Sequence, residues 1–83
     1  MKLSVLLFGP YADALRASSV EVELPNDTEP TAGAVMASLA EQQPKLRSML
    51  APALLAVNCK CVRPESAVCE TDELAIIGLV GGG

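Results

Sequence analysis

Three consecutive glycines, Gly81, Gly82 and Gly83, close the sequence, and we expect the last of them to carry a free carboxylate. Because glycine has no Cβ, such a segment can pass through narrow channels and adopt backbone angles closed to other residues. When extended, the four residues from Val80 onward reach roughly 13 Å from a compact body. The pattern predicts a thin tail that carries a carboxylate into the active site of another protein. A frayed chain end or an expression scar is the alternative interpretation.

The chemistry of that carboxylate requires help from another protein. A carboxylate reacts with nucleophiles only after activation, for example as a mixed anhydride with AMP, and this step consumes ATP. The sequence has no phosphate-binding glycine loop followed by Lys and Ser or Thr. It also has no histidine, and therefore no imidazole base and no Ser/His or Cys/His pair. We expect a chain that binds no cofactor of its own and is acted upon by an ATP-using enzyme.

Three cysteines are the remaining candidates for chemistry, namely Cys59, Cys61 and Cys69. The spacing of Cys59 and Cys61 predicts two thiols on one side of an extended segment. Structural zinc sites usually have four ligands, often with thiols paired as C-x2-C, so we expect free cysteines and no metal. The odd count fits a reducing cytoplasm better than a disulfide framework. A small metal-binding protein that uses these three thiols is the alternative.

Composition excludes several other classes of function. The 83 residues are enough for one domain, and 51% of them are hydrophobic with only one Phe, one Tyr and no Trp, so the core must be aliphatic. A net charge of −4 opposes binding to nucleic acid. No apolar run approaches the roughly 18 residues needed to cross a membrane. Lys2 and the apolar residues after it loosely imitate a secretory signal, but Gly9 and Pro10 break the run too early.

The hydrophobic pattern predicts strands and one main helix. Leu3, Val5 and Leu7 share one face of the first strand, and the second strand alternates cleanly and should pair with it as an antiparallel hairpin. Thr31 is the predicted N-cap of the main helix, which ends at Gln43 before a proline. The predicted strands span residues 2–8, 20–24, 54–57 and 74–77, with a possible short strand at 59–62 and helical turns at 11–17 and 46–50. This order predicts an α+β roll with a mixed sheet of four or five strands and one helix packed across it.

Three segments of the sequence resemble a known family over essentially the whole length. They are Val5-Leu6-Leu7-Phe8 with Tyr11-Ala12-Asp13, then Leu55-Ala56-Val57-Asn58, and Asp72-Glu73-Leu74-Ala75-Ile76-Ile77 leading to Gly82-Gly83. These segments are similar to the small subunit of molybdopterin synthase, the MoaD-like sulfur carriers with a ubiquitin-like β-grasp fold. The resemblance implies a β-grasp domain at residues 1–79 and a flexible glycine tail at 80–83.

The resemblance also implies a function for the tail. Gly83 would be adenylated by an E1-like activating enzyme that uses ATP, and then converted to a thiocarboxylate. Gly81 and Gly82 would thread into the large synthase subunit, where the sulfur is donated to the dithiolene of molybdopterin. The family's working assembly is a heterotetramer of two small and two large subunits. By this resemblance the chain is a sulfur-donating subunit and not catalytic alone.

Residues at the family's contact positions are implied to form an apolar partner interface, namely Phe8, Cys61, Ile77, Leu79 and Val80. Ordinary burial in the core is the alternative for Phe8 and Ile77.

The sequence departs from the family pattern at two places, one directly before the tail and one in a turn that does not involve the tail. Gly78-Leu79 replaces the usual Pro-Pro pair, and Glu70-Thr71-Asp72 replaces the usual Asp-Gly-Asp turn. The ending from Val80 onward also resembles the thiamine-pathway sulfur carriers, which are typically shorter. A carrier for thiamine or cysteine synthesis, a protein-conjugating ubiquitin-like modifier and a plain interaction module therefore remain alternatives.

Overall fold

The computed structural model describes residues 1–50 and 53–78. These residues form one mixed sheet, as predicted, whose strands are β1 (Lys2–Leu6), β2 (Ser19–Glu23), β3 (Ala53–Val57), β4 (Lys60–Cys61) and β5 (Leu74–Gly78). The strands lie in the order β2-β1-β5-β3-β4. Residues 79–83 lie outside the described residues. They include the predicted tail at 80–83, its boundary with the domain, and the predicted interface residues Leu79 and Val80.

Strand register places β5 at the centre of the sheet. The predicted antiparallel hairpin of β1 and β2 is confirmed, with Leu3 opposite Val22. β1 pairs in parallel with β5, and β3 pairs antiparallel with both β5 and β4. The last strand therefore joins the N-terminal hairpin to the β3–β4 hairpin.

In the described part of the chain, three helices pack on one side of this sheet, namely α1 (Gly9–Leu15), α2 (Ala32–Gln42) and α3 (Pro44–Arg47). The predicted N-cap of α2 is confirmed, because the Thr31 hydroxyl accepts a hydrogen bond from the Ala34 N–H at 3.1 Å. α1 begins two residues before the predicted position, since Pro10 fits the first turn of a helix. None of the helices among the described residues is long and apolar enough to cross a membrane.

The core is aliphatic, as predicted, and lies between the sheet and the helices. Leu3, Val5 and Leu7 are all buried on the helix-covered face of the sheet. The residues that pack with them from other elements include Val22, Leu24, Val35, Leu39, Leu46, Leu55, Leu74 and Ile76. Met36 and Met49 are partly buried against this cluster, where their flexible side chains fill irregular gaps.

The connection between β3 and β4 differs from the prediction. Asn58 and Cys59 form a two-residue turn with φ angles of 52° and 71°, the positive values that tight hairpin turns require. Cys59 therefore belongs to the turn, and the predicted extended segment with Cys59 and Cys61 on one side is wrong. Asparagine tolerates this backbone region readily, whereas cysteine does so rarely.

Candidate functional site

The face of the sheet away from the helices carries an apolar region beside β5, and we call this region the open face. It contains side chains of Leu6 and Phe8 at the end of β1 and of Ala75 and Ile77 on β5, which line a shallow depression of about 370 Å³. Phe8 is 55% exposed and Ile77 is 37% exposed, the first and joint second highest values among the large hydrophobic residues described. A monomeric soluble protein rarely leaves adjacent large apolar side chains uncovered without a binding role.

Local backbone geometry explains the exposure of Phe8. Its backbone is extended, with φ −132° and ψ 155°, and it immediately precedes α1. Alternation along the strand directs Leu7 into the core, where it is 2% exposed, so Phe8 points to the opposite side. Ile77 follows the same rule on β5, because its neighbour Ile76 is buried. Neither residue belongs to the core, and their role as a partner interface stays a prediction.

Cysteine side chains border the same depression. Cys61 lies opposite Ala56 on β3 and is exposed. Cys59 is also exposed, and its thiol lies 3.8 Å from the Glu73 carboxylate, to which it donates a weak hydrogen bond. Cys69 is exposed but does not line the depression. Across residues 1–50 and 53–78, no group of three or more Cys, Asp or Glu side chains has an arrangement that could hold a metal ion.

The start of β5 is fixed by a hydrogen-bond network around Asn58 and Asp72. The Asn58 side chain donates to the Asp72 carboxylate and accepts from the Glu73 N–H, both at 3.0 Å. The other Asp72 oxygen accepts from the Cys69 N–H at 2.8 Å, and the Asp72 N–H donates to the Cys69 carbonyl at 3.0 Å. Asp72 therefore closes the turn in which Glu70-Thr71-Asp72 replaces the family's usual sequence.

The end of β5 is fixed by packing against Tyr11. A Cβ placed on Gly78 would lie 2.7 Å from the Tyr11 hydroxyl oxygen and 3.2 Å from a ring carbon. Tyr11 is itself only 7% exposed, so its ring has little room to move. Sequence reasoning missed this pair; its only signal was a glycine where the resembled family has proline. The contact fixes the position of Gly78, the last described residue of β5.

The predicted site residues divide into two groups in the structure. Phe8, Cys61 and Ile77 come together around one depression on the open face. Gly81, Gly82 and Gly83, with Leu79 and Val80, lie outside the described residues. The last described residue, Gly78, directly follows Ile77 in β5. The exposed apolar side chains therefore lie beside the strand that leads into the glycine segment.

Solved structures share this architecture. The small archaeal modifier protein SAMP1 of Haloferax volcanii superposes with a TM-score of 0.80 at 23% identity, covering 100% of both chains. The putative molybdopterin converting factor subunit 1 of Pyrococcus furiosus gives 0.76 at 17% identity, covering 96% of this chain and 99% of that one. A complex of subunits 1 and 2 of the molybdopterin-converting factor from Helicobacter pylori contains a chain that matches at 0.65 and 15% identity, with full coverage of both. At these identities the likeness establishes the fold alone, which is the predicted ubiquitin-like β-grasp.

Sequence comparison then identifies the family. A model of the ThiS family matches residues 5–83, which includes the glycine segment and almost the whole domain. No curated protein matches the chain significantly. The chain belongs to the ThiS family, and it is a small ubiquitin-like sulfur carrier of the ThiS/MoaD type.

Proposed function

We propose that this chain is the sulfur-carrying small subunit of a molybdopterin synthase, and that Gly83 is the residue that carries the sulfur. The observation that supports this role best is the position of the open face. Phe8 and Ile77 are exposed beside one another, and β5 continues from Ile77 toward the glycine segment. A partner that covers the open face would therefore contact the strand that precedes the tail in the sequence.

The chemistry proposed for Gly83 proceeds in three steps, all in the active sites of partner proteins. A carboxylate oxygen attacks the α-phosphorus of ATP, pyrophosphate leaves, and an acyl-adenylate forms. Hydrosulfide supplied by a sulfur donor then attacks the acyl carbon, the bond to AMP breaks, and Gly83 becomes a thiocarboxylate. Its sulfur finally attacks a carbon of the pterin precursor of molybdopterin and displaces an oxygen leaving group, and water then hydrolyses the resulting thioester, which leaves the sulfur on the pterin and returns Gly83 to a carboxylate. The ATP belongs to an E1-like activating enzyme, and this chain is not catalytic alone.

Each part of the chain contributes differently to these steps. Gly81 and Gly82 pass through the narrow approach to the partner's active site, because they have no side chain to obstruct it. Burial of Phe8 and Ile77 on docking supplies affinity, at roughly 25 cal/mol per Å² of apolar surface removed from water. Leu79, Val80 and Cys61 extend this interface. Holding the sulfur at the end of a docked carrier raises its effective concentration at the reaction centre.

The proposed assembly is a heterotetramer of two small and two large subunits in the cytoplasm. The Helicobacter pylori structure is a complex of subunits 1 and 2 of the molybdopterin-converting factor, and its likeness to this chain supports a large-subunit partner. Three exposed free cysteines suit a reducing compartment.

Intact-protein mass spectrometry tests the proposal directly. The purified chain is incubated with ATP, a cognate activating enzyme and a sulfide source. We expect the mass gain of one sulfur replacing one oxygen, localised to Gly83 by fragmentation. A variant that lacks Gly82 and Gly83 is the control, and it should show no gain while melting at the same temperature. Absence of any adduct on the full chain, with an activating enzyme that modifies a known carrier in the same preparation, would refute the sulfur-carrier role.

A protein-conjugating modifier is the second candidate function. The likeness to SAMP1 of Haloferax volcanii favours it, since that protein is a small archaeal modifier. The two functions share the activated Gly83 and differ in what receives it. Isopeptide-linked conjugates of the chain in cell extracts would favour the modifier. Co-purification with a synthase large subunit would favour the molybdopterin role, and co-purification with a thiazole synthase would favour thiamine synthesis.

A further inference from the structure

The outer edge of β2 carries backbone groups that face away from the sheet. Among residues 1–50 and 53–78, β2 pairs with β1 alone and is the first strand in the sheet order. The Leu24 N–H donates a hydrogen bond to the Met1 carbonyl. Because hydrogen-bonded residues alternate along an antiparallel strand, the even-numbered residues of β2 direct their backbone N–H and C=O groups toward β1. Ser19, Glu21 and Glu23 therefore direct their N–H and C=O groups outward.

The outward-facing backbone groups of Glu23 already form hydrogen bonds with a side chain, which takes the place of a neighbouring strand. The Gln42 side-chain amide donates to the Glu23 carbonyl at 2.8 Å and accepts from the Glu23 N–H at 3.1 Å. An adjacent β-strand would satisfy the same two groups in the same way. The contact shows which ligand chemistry this edge accepts, namely an amide that both donates and accepts, as a peptide backbone does.

The remaining two residues, Ser19 and Glu21, lie beyond the reach of this contact. Within the described part of the chain, no group donates to or accepts from their outward N–H and C=O. Next to them is an open groove of about 580 Å³ between the strand edge and the helices, lined by Leu15, Ala17, Ser19, Val20, Gln43, Pro44 and Lys45. An added strand would thus find unpaired backbone groups beside a largely apolar wall.

The charges around the edge discriminate between a second copy of this chain and another protein. Glu21 and Glu23 both expose their carboxylates on the face of the sheet opposite the groove. If two copies paired antiparallel about Glu21, that residue would lie opposite itself, and like charges placed directly opposite destabilise a sheet. A basic side chain on the incoming strand would instead be attracted. On the groove side, Lys45 disfavours a basic side chain and the apolar lining favours an aliphatic one.

We propose that the edge of β2 at Ser19 and Glu21 is a second docking site, which binds an extended segment of a partner protein by adding it to the sheet. The segment alternates basic residues, which face Glu21 and Glu23, with aliphatic residues, which face Leu15, Val20 and Pro44. Main-chain hydrogen bonds supply affinity in this mode of recognition, and the alternating side chains supply specificity. Gln42 marks one end of the site. The proposal does not depend on the tail or on the sulfur-carrier role.

The test is a titration of the full-length, isotope-labelled chain followed by NMR. The probe is a blocked hexapeptide of alternating lysine and valine. We expect saturable chemical-shift changes at Ser19 and Glu21. At saturation the amide hydrogens of these residues should exchange with solvent more slowly, by a few-fold up to about tenfold, because they become hydrogen-bonded. The matched control peptide has the same sequence with N-methyl groups on alternate amides. It should bind more weakly, by a few-fold up to about tenfold, because it lacks those hydrogen-bond donors.

Two protein variants sharpen the test. Gln42→Ala frees the Glu23 backbone, so peptide binding should extend its exchange protection to Glu23. Glu21→Lys should weaken binding of the basic peptide without unfolding the domain, because this side chain is exposed. The variant that lacks Gly82 and Gly83 should bind the peptide as the full chain does, which separates this site from the tail.

Three results would overturn the proposal. The first is absence of saturable shifts at peptide concentrations up to about 1 mM, the limit of weak specific binding. The second is equal binding of the N-methylated peptide, which would reduce the effect to charge attraction. The third is protection of Ser19 and Glu21 that grows with protein concentration in the absence of peptide, since that would assign the edge to a second copy of the chain.

Discussion

Gly78 lies directly against the Tyr11 side chain, so that a single added carbon at residue 78 would stand 2.7 Å from the tyrosine hydroxyl oxygen. This contact joins the last residue of β5 to the first turn of α1. It holds Gly78 in the wall of a second depression, which is lined by Phe8, Gly9, Pro10, Tyr11, Ile76, Ile77 and Gly78. A glycine at this position is therefore a packing requirement.

The first prediction concerns that contact. Gly78→Ala should destabilise the domain by about 1–3 kcal/mol, because overfilling a packed region forces neighbouring groups to shift. Urea unfolding measures the change. In a Tyr11→Phe background the clash with the hydroxyl disappears, so the same alanine should cost less, and a double-mutant cycle reports the difference. Equal costs in both backgrounds would show that the hydroxyl is not the obstacle.

The second prediction concerns the open face. Phe8→Ser and Ile77→Ser should each weaken association with the partner that covers this face by about tenfold or more, because exposed apolar anchors dominate binding energy. Each should change the free energy of unfolding by no more than about 0.5–1 kcal/mol, since neither side chain belongs to the core. The association is measured with an activating enzyme or a synthase large subunit immobilised on a sensor surface.

A matched control for the open-face variants is Glu65→Ser, which changes an exposed side chain in a turn that does not line the depression. This variant should associate as the parent chain does. If Phe8→Ser and Ile77→Ser also associate normally, the open face is not the docking surface.

The third prediction concerns the turn that holds the start of β5. Asn58→Gly retains the positive φ of 52° without strain but removes the side-chain bonds to Asp72 and Glu73. We expect a loss of about 1 kcal/mol, the usual net value of such bonds at a partly solvated site. Asn58→Ala should cost about 1 kcal/mol more than the glycine variant, because alanine is strained in the left-handed region. Thermal unfolding of the parent chain and the two variants measures the loss from the missing hydrogen bonds and the added cost of strain in alanine. An alanine variant more stable than the glycine variant would contradict this prediction.

The fourth prediction concerns the beginning of α2. Thr31→Ala removes the hydroxyl that accepts from the Ala34 N–H and should reduce the free energy of unfolding by about 1 kcal/mol. Thr31→Ser keeps the hydroxyl and should reduce it by much less. Denaturant midpoints at constant slope distinguish the two variants. A serine variant as unstable as the alanine variant would indicate that the threonine methyl group matters more than the cap.

Local signals in the sequence predicted much of this fold. Thr31 and Pro44 mark the two ends of α2 because capping and the missing proline N–H act within one helical turn. The alternation of Leu3, Val5 and Leu7 predicted the buried face of β1, since successive side chains of a strand face opposite sides. Family resemblance supplied the β-grasp fold and the grouping of Phe8 with Cys61 and Ile77, whereas the order of strands within the sheet comes from the structure.

The contacts that sequence reasoning missed join residues far apart in the chain. Gln42 pairs with Glu23, and Tyr11 packs on Gly78, so neither contact has a local pattern. Cys59 was placed in an extended segment because its spacing to Cys61 suits a strand. The structure instead needs two residues with positive φ to reverse the chain, and the second of them is the cysteine.

The central position of β5 has a consequence for how the protein is made. β1 and β2 are the first strands to be synthesised, but within the residues that the structure describes no strand pairing joins them to β3 except through β5. The sheet therefore remains in two parts until β5 has been synthesised. The parallel pairing of β1 with β5 joins residues that are separated by nearly the full length of the domain, and such long-range pairing slows folding. A chain truncated before β5 would leave one edge of β1 and one edge of β3 unpaired, and it would also lack the tail. We therefore expect a chain truncated before β5 to be digested by proteases faster than the 83-residue chain.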